Sequence, residues 1–285
     1  LMSIILSLGF TVGGLHYDGS GFAGVAAGTV VAQYSGLLVA LLLLLWKYRR
    51  NTLSTVTVSE LRGLFKGDET RRFFVMNADL YVRSLCFIAI YIGFTVISAR
   101  YGDVLLAVSS ILMKLLMIFS YFTDGFAYAG EALTGRYIGA KDSFMVRQTV
   151  RWTFVWSMSI ALLFMGIYHF AGVPMLRMMT SDPIVVDAAV GYLPWLLLMP
   201  VAGCAAFTWD GIYIGATASR QMRNSMLWAT VSFAALWAVG ILILQAVAPD
   251  SPSYGRMAMH VLMAAYFAHL LARTVYLTVS WRSIR

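Results

Sequence analysis

The sequence predicts an all-α integral membrane protein, a polytopic helix bundle with about eight transmembrane helices. Of its 285 residues, 60% are hydrophobic and 12% are charged, whereas a soluble domain is about half apolar and about a quarter charged. The apolar residues form continuous runs of about 20 residues, long enough to cross the ~30 Å hydrocarbon core as helices. Strands of a membrane barrel would instead alternate polar and apolar residues over about ten positions. The continuous runs therefore indicate helices.

Eight apolar runs are long enough to be membrane segments. They are residues 1–16, 22–46, 76–98, 104–132, 149–171, 185–217, 223–247 and 257–281. The connections are short except for residues 47–75, a polar and basic stretch with an amphipathic middle. Such a stretch is typical either of a hinge that lies on the membrane surface between two bundles or of a plain solvated loop.

The chain begins at Leu1 inside an apolar run, LMSIILSLGFTVGGL. No charged region precedes this run and no small-residue cleavage site follows it, so we do not expect it to be a signal peptide. We expect the sequence to be the C-terminal portion of a longer protein.

The net charge of +8 is distributed as in a membrane protein, because the basic residues lie between the apolar runs. If the N-terminus is cytoplasmic, 15 of the 21 basic residues fall in inner loops and 3 in outer loops. By the positive-inside rule, this imbalance predicts a multi-pass protein of the cytoplasmic membrane with both ends of the chain cytoplasmic. We expect the lipid bilayer as a partner, no nucleic acid, and a monomer.

Motifs of catalysis and cofactor binding have no convincing match. Residues 19–24 spell GSGFAG, but they lie between two membrane segments and do not follow a strand. The four histidines show no metal-ligand spacing, and no P-loop, HExxH or GxSxG motif is present. Cys86 and Cys204 lie in apolar runs and are typical of small buried side chains, although one disulfide between them stays open. The sequence predicts no enzyme, no cofactor and no metal.

Pairs of glycines four residues apart recur along the chain and predict close packing of membrane helices. The pairs are Gly9 and Gly13, Gly24 and Gly28, Gly135 and Gly139, and Gly211 and Gly215.

The segment 104–132 carries a polar stripe. At ~100° per residue, its polar side chains fall within about a third of the helix circumference. The stripe consists of Asp103, Ser110, Lys114, Tyr121, Asp124, Tyr128 and Glu131, and the opposite face includes Leu105, Val108, Leu112 and Leu116. A lipid-facing helix has no use for such a stripe, so we expect it to line a water-filled interior. Lys114 lies near mid-depth and requires a partner, for which Asp210 and a substrate anion are the candidates.

Two further segments contain ionisable residues, which are costly in lipid and by default face a cavity or each other. Asp79 and Arg83 are four residues apart and could pair, or both could extend to the cytoplasmic end of their helix. Asp210 lies in a segment rich in proline and glycine, and Tyr213 and Thr217 share its helix face. Freed backbone carbonyls in such segments favour ion sites, so Asp210 is the leading candidate for ion coupling.

Four stretches resemble one family of transporters. They are SYFTDGFAYAGEALTGRYIGAKD at 120–142, FTWDGIYIGATASRQMRNS at 207–225, MNADLYVRSL at 76–85 and GVAAGTVVAQYSG at 24–36. They resemble the multidrug and toxin extrusion (MATE) family, in its DinF-like branch.

The resemblance implies two six-helix lobes around a central cavity, of which this chain holds helices five to twelve. Residues 1–46 would then be the last two helices of the N-lobe, 47–75 the cytoplasmic linker and 76–285 the six-helix C-lobe. The family's C-lobe cation site uses a tenth-helix aspartate, and Asp210 occupies that motif position. Sodium-coupled members of the family also have a glutamate in the seventh helix. This chain has no clear counterpart of that glutamate and offers Asp79 and Arg83 in that helix instead. The resemblance therefore favours protons over sodium as the coupling ion.

We therefore expect a secondary active antiporter that exports organic, cationic or amphipathic compounds in exchange for H⁺ or Na⁺. Asp210, Asp124 and Asp79 would carry the ion, and Lys114 and Arg83 would tune their titration. Tyr121, Tyr128, Glu131, Trp209, Tyr213 and Thr217 would line the substrate cavity. The alternatives are a flippase for a lipid-linked saccharide or peptidoglycan precursor, an intramembrane enzyme and a non-transporting subunit. A flippase would require a strongly cationic cavity, whereas the segments hold three cations and four acids.

Overall fold

The computed structural model describes residues 21–48, 68–249 and 251–283. The chain divides after Arg71 into two compact units, which are described separately. The first predicted membrane segment, the pair Gly9 and Gly13 and most of the predicted linker lie outside the described residues.

All regular structure in the described ranges is helical, which confirms the predicted fold class. The first unit contains α1, Gly21–Tyr48. The remaining helices are α2 (Asp68–Ala99), α3 (Asp103–Gly139), α4 (Ser143–Met179), α5 (Pro183–Val190), α6 (Leu193–Gly215), α7 (Ser219–Val247) and α8 (Tyr254–Ser280), followed by a 3₁₀ turn at Trp281–Ser283. Among the described residues, six helices (α2, α3, α4, α6, α7 and α8) are long and apolar enough to cross a membrane.

The predicted segment 185–217 is wrong as a single span, because the chain breaks it into α5 and α6. Asp182 caps α5 by accepting a hydrogen bond of 2.9 Å from the Ile184 amide. Pro194 lies in the first turn of α6, where its missing amide hydrogen removes a bond that a continuous helix would need. Apolar composition continues across this break, so hydropathy alone could not reveal it.

The second unit is built around α6, which packs against α3, α4 and α8. The predicted apolar face of α3 lies in its core, where Leu105, Val108, Leu112 and Leu116 are all buried. Tyr168 of α4 is buried as well, and its hydroxyl donates to the Leu115 carbonyl at 2.6 Å. These contacts fix which side of α3 is turned away from the core.

Glycines let α3 and α6 approach until their backbones touch, as the small-residue spacing predicts. A Cβ atom on Gly211 would lie 2.1 Å from the Ala127 carbonyl oxygen, and one on Gly215 would lie 2.3 Å from that of Glu131. A Cβ on Gly135 would lie 3.2 Å from the Gly215 carbonyl oxygen. Three of the four glycines of the two pairs thus hold one helix crossing, whereas Gly139 meets nothing within 4 Å.

Candidate functional site

Asp210 is held by two arginines from two other helices. Its Oδ2 atom accepts a hydrogen bond of 2.6 Å from Arg83 Nη2 of α2 and another from Arg273 Nη2 of α8. The Arg273 side chain is 1% exposed, and those of Asp210 and Arg83 are 16% and 25% exposed. We call these three residues the Asp210 clamp. It joins α2, α6 and α8 through one carboxylate and contains one more positive than negative charge.

The clamp keeps Asp210 ionised because protonation would leave two guanidinium groups without their counterion. An unpaired buried charge costs several kcal/mol, more than the pair itself contributes. Bonds from a charged donor to a charged acceptor are also among the strongest that side chains form. In this arrangement Asp210 is therefore a fixed anion that organises three helices.

Asp79 and Arg83 do not pair with each other, so the predicted i, i+4 ion pair is wrong. Asp79 is 4% exposed and accepts hydrogen bonds from Ser219 Oγ at 3.0 Å and from Arg223 Nη1 at 2.5 Å. Both donors come from the first turns of α7. Contacts between helices outweigh the local pairing here, since i, i+4 pairs contribute only about 0.2–0.5 kcal/mol.

The polar stripe of α3 lies on the side of the helix that the second unit leaves uncovered. Tyr121 and Tyr128 are each 67% exposed, and Lys114 is exposed as well. Asp124 lies between the two tyrosines, Glu131 follows Tyr128, and both carboxylates are half-buried. The predicted division of α3 into a polar open face and an apolar packed face is confirmed.

Lys114 forms no ion pair with the part of the chain that the structure describes. Asp210, the predicted partner, is already occupied by Arg83 and Arg273. Lys114 lies on the uncovered side of α3 and is not packed against the other helices of the second unit.

Asp124 is the carboxylate of the stripe that lies next to the clamp. Its carboxylate interacts electrostatically with all three residues of the clamp, Asp210, Arg273 and Arg83. Unlike Asp210 and Asp79, Asp124 forms no ion pair with any described residue. The structure thus places a half-buried, unpaired carboxylate beside a buried cluster with an excess positive charge.

Trp209 and Tyr213 are buried in the bundle and are not available on the polar stripe, contrary to their predicted role in a cavity. The indole of Trp209 is 5% exposed and donates to Thr278 Oγ1 at 2.9 Å. Tyr213 is fully buried, and its hydroxyl donates to the Leu277 carbonyl at 2.5 Å. Both rings also contact Trp281. Tyr213 was predicted to share a helix face with Asp210, but both Tyr213 and Trp209 pack against α8.

Thr217 is exposed in the turn between α6 and α7, where its φ angle is 55°. The helix ends at Gly215, so Thr217 does not continue the Asp210 face as predicted. A positive φ is unusual for a residue with a branched side chain and marks a tight turn.

Three residues of the charged clusters were not among the sequence candidates. Arg273 had a usable signal, because it is an arginine inside a predicted span. Ser219 and Arg223 had none, because they lie in the first turns of α7, next to a loop, where polar residues are common.

No metal site or disulfide was found within the described ranges. No group of three or more His, Cys, Asp or Glu side chains there could hold a metal ion. Cys86 and Cys204 are both free, so the disulfide that the sequence left open does not form.

Sequence comparison identifies relatives of the chain. Residues 80–243 match the family model described as MatE. The chain is 35% identical over 234 residues to DNA damage-inducible protein F of Escherichia coli strain K12. The alignment covers 82% of this chain and 49% of that protein, so the chain spans about half the length of this curated relative.

Solved structures share the fold. A crystal structure of MATE in the straight conformation matches with a TM-score of 0.77 and 13% identity, covering 99% of this chain and 62% of that one. An outward-facing multidrug resistance MATE family transporter matches with a TM-score of 0.74 and 12% identity, covering 99% and 61%. A Pyrococcus furiosus transporter of the MOP superfamily, described as having a binding pocket of reversed polarity, matches with a TM-score of 0.72 and 12% identity, covering 99% and 62%.

These low identities show the fold alone, whereas the sequence comparisons are specific. The family model covers more than half of the chain, and the relative from E. coli aligns over most of it. The chain belongs to the MatE family of membrane transporters and resembles its DinF-like members.

Proposed function

We propose that the protein containing this chain is a secondary active antiporter of the cytoplasmic membrane. It exports organic cations or amphipathic compounds in exchange for protons, as a monomer with both ends of this chain cytoplasmic. Family membership supports export as the activity, and the chain contributes part of the machinery because it spans about half of its curated relative. The positions of the acidic side chains support the choice of ion and substrate.

Asp124 is the proposed proton carrier. A carrier must gain and lose its charge during each cycle, which is costly for a carboxylate already bound to arginine. Asp210 and Asp79 both have arginine partners, whereas Asp124 has none among the described residues. The unpaired position of Asp124 on the polar stripe is the observation that carries this proposal.

The polar stripe also supports an organic cation as the substrate. Its charged members are three acids, Asp103, Asp124 and Glu131, and a single cation, Lys114. The exposed rings of Tyr121 and Tyr128 offer flat faces to which a cation is attracted. A flippase for a pyrophosphate-linked precursor would need the opposite balance. The fold itself does not decide between them, since a transporter of this fold is described with reversed pocket polarity.

Transport measurements on the complete gene product test the proposal. Reconstituted into vesicles, the wild type is expected to export a lipophilic organic cation when a pH gradient is imposed, and not when a sodium gradient is imposed. Asp124→Asn is expected to reduce this efflux to background because the amide cannot carry a proton. Asp124→Glu is expected to restore part of it.

Asp103→Asn is the matched control because Asp103 lies on the same stripe but at the exposed start of α3. It is expected to transport like the wild type. Proton-driven efflux that survives Asp124→Asn would show that another group carries the proton. If neither gradient drives efflux, a fluorescent lipid-linked saccharide becomes the next substrate to test.

A further inference from the structure

His269 of α8 is a buried histidine next to the Asp210 clamp. Its side chain is 1% exposed, and it lies one helical turn before Arg273, so the two residues share a face of α8. Long side chains of a helix lean back toward its N-terminus, so Arg273 extends toward the turn that contains His269. The imidazole also interacts electrostatically with Arg273 and Asp210. His269 is therefore a neighbour of the clamp.

A hydrogen bond to the backbone determines which imidazole nitrogen carries the hydrogen. His269 Nδ1 lies 3.3 Å from the carbonyl oxygen of Tyr266. A carbonyl oxygen only accepts, so Nδ1 donates, and the neutral ring has its lone pair at Nε2. The ring stays neutral because it is buried beside the excess positive charge of the clamp. Nε2 is buried as well, and no described residue donates to it. His269 thus provides an unused acceptor.

Three polar atoms of the clamp are also buried without a partner in the part of the chain that the structure describes. They are the Nε atoms of Arg83 and Arg273 and the Oδ1 atom of Asp210. Each Nε belongs to the same guanidinium group as the Nη2 atom that binds Asp210 Oδ2. Oδ1 belongs to the same carboxylate as Oδ2. The rigid geometry of these planar groups therefore keeps the three atoms close together.

The four atoms have complementary hydrogen-bonding roles. Arg83 Nε and Arg273 Nε are donors, whereas Asp210 Oδ1 and His269 Nε2 are acceptors. Buried polar atoms without a partner are costly, and most are satisfied by the protein or by ordered water. A buried water molecule makes two to four hydrogen bonds to such groups. With two hydrogens to donate and two lone pairs to accept, one water molecule matches all four atoms.

We propose that the clamp binds an internal water molecule that links Asp210 to His269. The water donates to Asp210 Oδ1 and His269 Nε2 and accepts from the two Nε–H groups. His269 is then a positioning residue, because through the water it holds the second oxygen of Asp210 as the arginines hold the first. A chloride ion would suit the two donors but would be repelled by both acceptors. The site belongs to the fold of the second unit and does not rest on the proposed antiport.

Substitution of His269 in the purified complete gene product tests the water link. The amide oxygen of glutamine can take the place of Nε2 as an acceptor, whereas leucine has none. His269→Gln is therefore expected to unfold close to the wild-type temperature, and His269→Leu a few degrees lower. Without the water, Nε2 would be an unsatisfied acceptor, and its replacement by leucine would be neutral or stabilising. A His269→Leu protein at least as stable as His269→Gln would overturn the proposal.

A double-mutant cycle separates positioning through the water from simple packing. Arg83→Lys keeps the positive charge of the clamp and removes the Nε donor. If both residues bind one water, the double variant with His269→Leu is expected to lose less than the sum of the two shifts in unfolding temperature, because the water is lost only once. His169→Leu, at an exposed histidine of α4, is the matched control and is expected to be additive with Arg83→Lys. Additive shifts for His269→Leu would contradict the water link.

X-ray footprinting detects the water itself, because radicals formed from a bound water modify the side chains around it. His269 is expected to be modified in spite of its burial. Tyr168 is the control, since it is equally buried and its hydroxyl is already bonded to the Leu115 carbonyl. It is expected to stay unmodified. Protection of both side chains would show that no water occupies the clamp. An unfolding temperature that rises in chloride but not in gluconate would show that the site binds an anion, and would also overturn the proposal.

Discussion

Asp210→Asn is expected to destabilise the purified protein by about 3–5 kcal/mol, the cost of leaving a buried charge without its partner. Arg273 is fully buried, and among the described residues it forms its ion pair with Asp210. The neutral amide of the variant therefore leaves the Arg273 guanidinium buried without a counterion. Thermal unfolding in detergent, followed by circular dichroism or by loss of the monodisperse peak, measures the effect.

Asp124→Asn is the matched control, because Asp124 is a neighbouring carboxylate without an ion pair among the described residues. It is expected to unfold close to the wild-type temperature. The double variant Asp210→Asn, Arg273→Met should recover much of the lost stability, since an apolar replacement of a buried ion pair is often neutral or better. Unchanged unfolding of Asp210→Asn would mean that the clamp does not hold the bundle together.

Gly211→Val is expected to prevent α3 and α6 from packing, and the protein to be recovered as aggregate or in much reduced yield. Even the first carbon of a side chain would lie 2.1 Å from the Ala127 carbonyl oxygen. That atom belongs to a helix backbone and cannot rotate away. Overpacking in a well-packed core typically costs about 1–3 kcal/mol and more where the backbone has to move.

A graded series makes this test quantitative. Gly211→Ala is expected to lower the unfolding temperature less than Gly211→Val does. Gly166→Ala in α4 is the control, since a Cβ there meets nothing within 4 Å. It is expected to be neutral or to stabilise by up to about 1 kcal/mol through helix propensity. A Gly211→Val protein that folds normally would refute the close crossing.

The sequence was sufficient to predict the helices because the thickness of the bilayer dictates their length and composition. It also predicted which side of α3 is polar, since Lys114 and Leu112 lie on opposite faces at the helical period. The break between α5 and α6 was not predictable from hydropathy, because apolar side chains continue through it. Pro194 was visible in the sequence, but proline is tolerated inside membrane helices and does not by itself end one.

The ion pairs could not be predicted in the same way. Arg83 and Asp210 are 127 residues apart, and Asp79 and Arg223 are 144 residues apart. Periodicity reports which residues share a face of one helix and contains no information about which helices are neighbours. The local rule therefore suggested Asp79 and Arg83 as a pair, and packing assigned each of them another partner.

The Asp210 clamp has a consequence for how the protein is made. Membrane helices enter the bilayer as the ribosome produces them, so Arg83 arrives first, Asp210 next and Arg273 last. An arginine at the centre of an inserting helix costs about 2.5–3.5 kcal/mol on insertion scales. When α8 is released, Asp210 is already in the membrane as a counterion for its arginine. Asp210 therefore enters a membrane that already contains Arg83, and Arg273 enters one that already contains Asp210. Insertion in the order of synthesis thus gives each later charged residue a counterion as it arrives.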